Sequence, residues 1–241
     1  MMRVGLFKPV HVKTATSRRL RAVLAARQLL RNKLQDVENE IRGVIRDFGY
    51  EIGRVTKRDF ESRVRELTEN TILHGVSDAL LLARRGLWEQ FLRLDDLLVR
   101  LAREDELTRR FMTVPGVGPM VALTFRATVD VPSRFIRSRT VGAHFGLTPR
   151  KHQSGDVDRT GRISRWGDAM MRSLLYEAAQ VLLARVKRWS ALKAWAMQVA
   201  RRRGRKKAVV ALARKIAVIL HRMWIDGTEF DWGERRQPAS P

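Results

Sequence analysis

The chain has 241 residues, with 48 Lys+Arg against 25 Asp+Glu and no cysteine. That length can bury one good core or two small ones, and a net charge of +23 makes a polyanion the expected partner. The missing cysteines exclude disulfides and Cys-based zinc sites, and no apolar run reaches the roughly 18 residues that a membrane span needs.

The chain therefore reads as cytoplasmic, with no membrane partner. Its five histidines, His11, His74, His144, His152 and His221, do not pair at helical ligand spacing, so no metal site is expected from them. The positive charge is uneven. Residues 150–222 hold 19 Lys/Arg and 4 Asp/Glu, so most of the excess sits in about a third of the chain. A surface that served only solubility would mix both signs, so nucleic-acid binding is expected there.

Residues 1–13 read as an extended, Pro-led segment, with Ser17 the expected cap of the first helix. From Leu30 the apolar positions step through Leu34, Val37, Ile41, Val44 and Phe48 in alternating fours and threes, with Gly49 as C-cap. A polar stretch, 50–78, includes a short helical pattern near Asp59–Leu67. A second seam follows at Leu87, Phe91, Leu94, Leu98 and Leu101. Two such seams fit an antiparallel hairpin, a coiled coil between protomers, or two ordinary amphipathic helices on a core.

Next comes FMTVPGVGPMVALTF (111–125), a tight Pro115-Gly116-Val117-Gly118 turn between two apolar segments. That is a helix-hairpin-helix pattern. Gly116 and Gly118 permit close backbone approach, and the turn amides at the following helix start can face a phosphate. Val129–Ser133 breaks the helix, and a short helix over Ser138–Phe145 ends at Gly146.

Residues 148–166 read as a polar Gly/Arg loop centred on Ser154. A serine hydroxyl attacks phosphate poorly unless its proton is drawn off and the developing charge is stabilised. Arg150, Lys151, Arg159, Arg162 and Arg165 lie near Ser154 in sequence and can supply that charge; Arg162 and Arg165 suit bidentate phosphate contact. His152 is a candidate proton acceptor. Ser164, just before the next helix, reads as a cap or a phosphate contact. Asp156, Asp158 and Asp168 read as charge-balancing partners of the basic loop rather than as a metal site.

Helix 168–186 follows, with a stripe of Met171, Leu174, Leu175, Ala178, Val181 and Leu182. A basic bridge, Arg201-Arg202-Arg203-Gly204-Arg205-Lys206-Lys207, precedes a last helix over Ala208–Trp224. It is a second candidate phosphate patch. No strand-rich region is evident, and the fold class expected is all-α.

The two Gly-punctuated motifs, at 111–125 and at 148–178 (TPRKHQSGDVDRTGRISRWGDAMMRSLLYEA), occur in the order and spacing of a known family. Together with GLFKPVHVKT (5–14), they make the chain resemble the C-terminal part of bridge-RNA-guided insertion-sequence transposases, serine recombinases of the IS-one-ten / IS-eleven-eleven type. The resemblance implies that Ser154, in Ser154-Gly155, is the nucleophile that holds a cut strand. It implies DNA, a bridge-type guide RNA, and a homo-oligomer or full-length homologue as partners, in a bacterial, nucleoid-associated setting. Where the family often has a second glycine, this chain has Asp156.

The family also carries an N-terminal resolvase-like domain whose Asp-Glu-Asp-Asp set holds Mg²⁺. Here the first acidic residue is Asp36, within the helical segment. The expectation is a truncated member, inactive alone. Its expected parts are a remnant at 1–13, a helical hairpin or coiled-coil segment at 14–105, a helical transposase domain at 106–232 and a disordered tail at 233–241. The alternative expectation is a non-catalytic DNA/RNA-binding remnant or a dominant-negative partner of a full-length transposase.

Overall fold

The computed structural model describes residues 10–154 and 156–233. Most of the expected remnant at 1–13, Gly155, and the tail beyond residue 233 lie outside the described residues. Within them the chain is mostly helical. The helices are α1 (Ala15–Asp47), α2 (Phe60–Thr68), α3 (His74–Glu104), α4 (Glu106–Met112), α5 (Pro119–Val129), α6 (Arg139–His144), α7 (Ala169–Ala184), α8 (Ala191–Arg203) and α9 (Arg205–Asp226). Two antiparallel strands, β1 (Pro149–Ser154) and β2 (Val157–Ile163), lie between α6 and α7.

Two compact units result, with boundaries inside α1 and α3. One is Ala22–Leu98; the other joins Met1–Arg21 to Val99–Pro241.

In the unit 22–98, α1 and α3 run antiparallel. Arg27 pairs with Asp95 at 2.6 Å; eleven residues further along α1 and eleven back along α3, Glu38 pairs with Arg84 at 2.9 Å. The Glu38–Arg84 pair is buried. Its guanidinium also donates to Lys57 O at 2.9 Å and lies 4.8 Å over the Phe60 ring, so the desolvated charge is surrounded by partners. Around it Ile41, Ile45, Ile52, Phe60, Val64 and Leu81 form a small core.

Side chains from both seams are buried within the chain. Leu34, Ile41 and Leu98 are fully buried within the chain. Phe48, expected as the seam's last residue, is exposed. α1 ends at Asp47, and Gly49 at φ +85° turns the chain away, with Gly49 N–H donating to Arg46 O and Tyr50 N–H to Ile45 O. That pair of bonds is a Schellman closure.

The other unit is built on aromatic side chains from three helices and one turn. Phe111 of α4 meets Phe125 of α5 edge-on at 5.3 Å and Trp224 of α9 at 5.6 Å; Phe125 meets Phe145, just after α6, at 5.8 Å. The α7 stripe (Met171, Leu175, Ala178, Leu182) and the α9 stripe (Val209, Leu212, Ile216, Leu220) complete the core. His221 is buried among them and satisfied at both nitrogens, 3.0 Å from Ser138 Oγ and 3.0 Å from Pro132 O.

Several local expectations are corrected. The segment 148–166 is largely a β-hairpin, not a loop. Every residue of β1 is exposed, so no apolar alternation marked it as a strand. Thr14, not Ser17, caps α1, its Oγ1 accepting from Ser17 N at 3.3 Å. Asp168, not Ser164, caps α7, accepting from Met171 N at 2.9 Å.

Candidate nucleic-acid interface and serine hairpin

The hairpin register pairs Lys151 with Thr160, His152 with Arg159, Gln153 with Asp158 and Ser154 with Val157. Side chains alternate along a strand, and directly paired residues share a face. One face therefore carries Arg150, His152, Ser154 and Arg159. The other carries Lys151, Gln153, Asp158 and Thr160. Ser154 is the last residue of β1, exposed at the hairpin tip beside the turn residue Asp156. The His152 ring lies beside Gly161, where a Cβ would be in ordinary van der Waals contact with it.

A bulge near the base, between Pro149 and Lys151, sets Gly161 and Arg162 opposite Arg150. Arg150 is tied across that base, donating to Ser164 O at 3.0 Å. Among the described residues no carboxylate pairs with Lys151, Arg159, Arg162 or Arg165. Those four cations are available to an external anion.

Tight backbone packing fixes the base. Ser164 N donates to Thr148 O at 2.9 Å and Arg165 N to Gly146 O at 3.1 Å. A Cβ at Gly146 would strike Trp166 N and O, and one at Gly167 would strike His144 O. Arg172 of α7 closes the joint, donating to Phe145 O at 3.2 Å and Trp166 O at 3.1 Å.

Sequence reasoning missed a polar latch at the start of α1. Lys13 Nζ caps the C-terminal end of α5, donating to Ala127 O at 3.0 Å and Thr128 O at 2.7 Å. Asp130, at φ +67°, accepts from Thr14 N and Thr14 Oγ1 and contacts His11 Nε2 at 2.6 Å. Arg21 reaches Asp168, the α7 cap, at 2.7 Å. Burial alone would raise the Asp130 pKa. Hydrogen bonds from Ser17, Thr14 and His11 outweigh it and hold the carboxyl well below the usual carboxylate range. Asp168 shifts the same way, burial being outweighed by the Met171 amide and Arg21. Burial and the neighbouring Arg21 lower the Lys13 pKa.

A carboxylate whose pKa is depressed on folding stabilises the protein above its unfolded pKa, and that stability is lost as pH falls through the folded value. Asp130→Asn is therefore expected to cost about 2 kcal/mol at neutral pH, the size of lost charged hydrogen bonds. The gap from the parent protein should close progressively below about pH 4. Urea denaturation across pH checks it; a gap that stays constant to pH 2 would show that the charge is not responsible.

The Pro115–Gly118 turn does join two helices, α4 and α5. Its two glycines differ in surroundings. Gly116, at φ +88°, packs so closely on α7 that a Cβ would strike Ala178 O. Nothing lies within 4 Å of a Cβ at Gly118, the uncapped residue before α5. The Val117 amide is spent on Val114 O at 3.0 Å. Of the two, Gly118 alone borders open space.

Arg201–Arg203 end α8 and Arg205–Lys207 begin α9, around Gly204 at φ +83°. Gly204 closes α8 through its N–H to Ala200 O and opens α9 through its C=O to Ala208 N. All seven residues are exposed. Cations at a helix C-terminus stabilise it, whereas three at a helix N-terminus oppose the dipole by a few tenths of a kcal/mol or more each. The second group is thus not explained by helix stability.

No group of His, Cys, Asp and Glu among the described residues could hold a metal ion. These residues do not fit the Mg²⁺ site that the resemblance implies, and none of the chemistry below passes through a metal they hold. Among them, too, no helix is long and apolar enough to cross a membrane.

Residues 108–211, from α4 into α9, match the family model described as Transposase IS116/IS110/IS902 family. The match takes in the Gly116–Gly118 turn, the serine hairpin and the basic bridge. The chain is 32% identical over 219 residues to the transposase for insertion sequence element IS1111A of Coxiella burnetii, covering 88% of this chain and 60% of that protein. It is 30% identical over 222 residues to a probable family 20 transposase of Pseudomonas aeruginosa, covering 88% of this chain and 64% of that one. A transposase for insertion sequence element IS1328 of Yersinia enterocolitica is 30% identical over 145 residues, or 60% of this chain and 43% of that protein. The chain thus spans about three fifths of the length of the first two of these relatives.

Proposed function

We propose that this chain is part of an insertion-sequence transposase of the IS110/IS116 type, in which Ser154 is the nucleophile and the surrounding cations hold the nucleic-acid backbone. One observation carries the reading. Within the matched segment, an exposed hairpin sets Ser154, His152 and Arg159 on one face, with Lys151 on the other and Arg162 and Arg165 at its base, none of these three paired with a carboxylate among the described residues. In the step assigned to it, Ser154 Oγ attacks phosphorus and a new O–P bond forms. The P–O bond to one deoxyribose oxygen breaks. The serine proton passes to a base, for which His152 is the nearest candidate on that face, and the freed oxygen takes one up. No oxidant or reductant is consumed, and the phosphodiester energy is kept in the protein–DNA link.

Binding to DNA and to a guide RNA is assigned to Lys151, Arg159, Arg162 and Arg165, with Arg150 bracing the hairpin. The bridge Arg201, Arg202, Arg203, Arg205, Lys206 and Lys207 forms a second patch, and the turn at Gly118 a third contact. The metal-holding acidic site that the resemblance implies comes from residues other than those described. Self-association is assigned to exposed apolar residues of the helical unit, Leu29, Leu82 and Leu92. The buried Leu34 and Leu98 would report on folding instead.

The test of the binding reading is salt dependence. Neutralising about six phosphates should give a log–log slope of affinity against salt near −5. A flat response, or no binding to DNA or structured RNA at low salt, overturns it.

A further inference from the structure

Trp166 is the tryptophan that the fold leaves unused. Trp224 is in the aromatic core, and Trp88, Trp189, Trp195 and Trp232 each have a Lys or Arg over the ring. Among the described residues Trp166 has neither a ring partner nor a cation over it, and it is 71% exposed. Leaving an indole in water forgoes a large burial gain. A mobile loop could fold such a side chain back onto the protein. Here the main chain that carries it is pinned. Gly146 and Gly167 are packed against their neighbours' main chain, Arg172 holds Trp166 O, and Arg165 N is bonded to Gly146 O. The ring is presented from a fixed base.

Its neighbours define the ligand. Arg165 is its chain neighbour and Arg162 lies four residues before it, neither with a carboxylate partner among the described residues. A planar apolar face in a segment that also carries two unpaired arginines suits a planar aromatic group attached to an anion. Resting on the nucleic-acid reading above, we infer that Trp166 is a stacking platform for an unpaired nucleobase, with Arg162 and Arg165 on the adjoining phosphates. A fully paired duplex buries its base faces and offers this ring nothing to stack on. An anionic membrane surface would call for further apolar side chains beside the ring, and β1 offers only Pro149 among polar and basic residues. The hairpin also sets the spacing. Ser154 is at its tip and Trp166 beyond its base, so the platform lies roughly 20 Å from the serine at about 3.3 Å per strand residue. Trp166 therefore reads a base several nucleotides from the cut, and it is a positioning residue rather than a catalytic one.

The experiment compares the full chain with Trp166→Ala and Trp166→Phe. The nucleic-acid probes are a labelled single strand, its perfect duplex, and that duplex carrying one unpaired 2-aminopurine; vesicles of anionic phospholipid form a separate arm. Trp166→Ala should weaken binding to the two probes with unpaired bases by about tenfold or more and leave the perfect duplex within about twofold. Trp166→Phe should retain most of the affinity. The 2-aminopurine should be quenched by the parent protein and by Trp166→Phe, but not by Trp166→Ala. Unchanged binding of Trp166→Ala to all three, or an equal loss on all three, overturns the platform while leaving salt-dependent binding intact. A Trp166→Ala loss confined to anionic vesicles also overturns it, in favour of a membrane contact. Failure of the parent protein to bind any nucleic-acid probe at low salt removes the underlying reading, and the platform with it.

Discussion

Ser154→Ala is expected to abolish covalent capture of a cut strand while changing affinity for nucleic acid by less than about twofold. The side chain is exposed at a hairpin tip and supports no core contact, so its loss should not alter folding. The arginines and lysines that hold the phosphates remain. What disappears is the oxygen that forms the new bond to phosphorus, and removing a nucleophile costs at least about a thousandfold in rate. The assay pairs this chain with a full-length relative whose matching serine is replaced by alanine, in the presence of guide RNA and Mg²⁺. A denaturing gel then reads a labelled protein–DNA adduct of this chain's mass. Ser164 is the internal control. Its backbone is bonded to Thr148 and its carbonyl to Arg150 at the hairpin base, which places it in the support rather than at the tip. Ser164→Ala should keep the adduct. An adduct that survives Ser154→Ala and is lost in Ser164→Ala would move the nucleophile to the base. No adduct with either parent or variant, alongside normal binding, would leave a nucleic-acid-binding protein without strand transfer.

The legible parts of this chain were those where burial writes itself into spacing. The stripe Met171, Leu175, Ala178, Leu182 and the stripe Val209, Leu212, Ile216, Leu220 both face the core as their helical period requires. Gly49 and Gly146 end helices at positive φ, where a side chain is strained. The hairpin was illegible for a matching reason. Both its faces are in water, so period-two alternation had nothing to encode. Its strand character comes from pairing and from the fixed base at Gly146 and Gly167. The latch was hidden by distance: Arg21 and Asp168 are 147 positions apart, and Lys13 finds its carbonyls 114 and 115 positions away. Glu38 and Arg84 look like surface charges on two helices until α3 folds back along α1. At the candidate site the residue types were readable and the alternation was not. Arg150 and Arg159 share the face of Ser154, while Lys151 lies on the other.

The turn between α4 and α5 separates two meanings of glycine, and substitution should separate them too. Gly116→Ala is expected to destabilise the protein by about 2–5 kcal/mol, from roughly 1–2 for a side chain at positive φ and a further 1–3 for overpacking. The obstruction is main chain, Ala178 O with Leu182 N also within 3.2 Å, so no rotamer change relieves it. Relief would require α5 to move off α7, opening the core around Phe111 and Phe125. Gly118→Ala should cost less than about 1 kcal/mol, because its φ of −103° suits any residue and the space beside it is open. If that open side receives a phosphate, the new methyl group should weaken nucleic-acid binding at unchanged stability. Thermal unfolding and salt-matched binding titrations of the two variants read both effects. Equal and small losses of stability would show that the turn can shift away from α7 at little cost. Unaltered binding in Gly118→Ala would remove the turn from the interface and leave the hairpin and the basic bridge as its contacts.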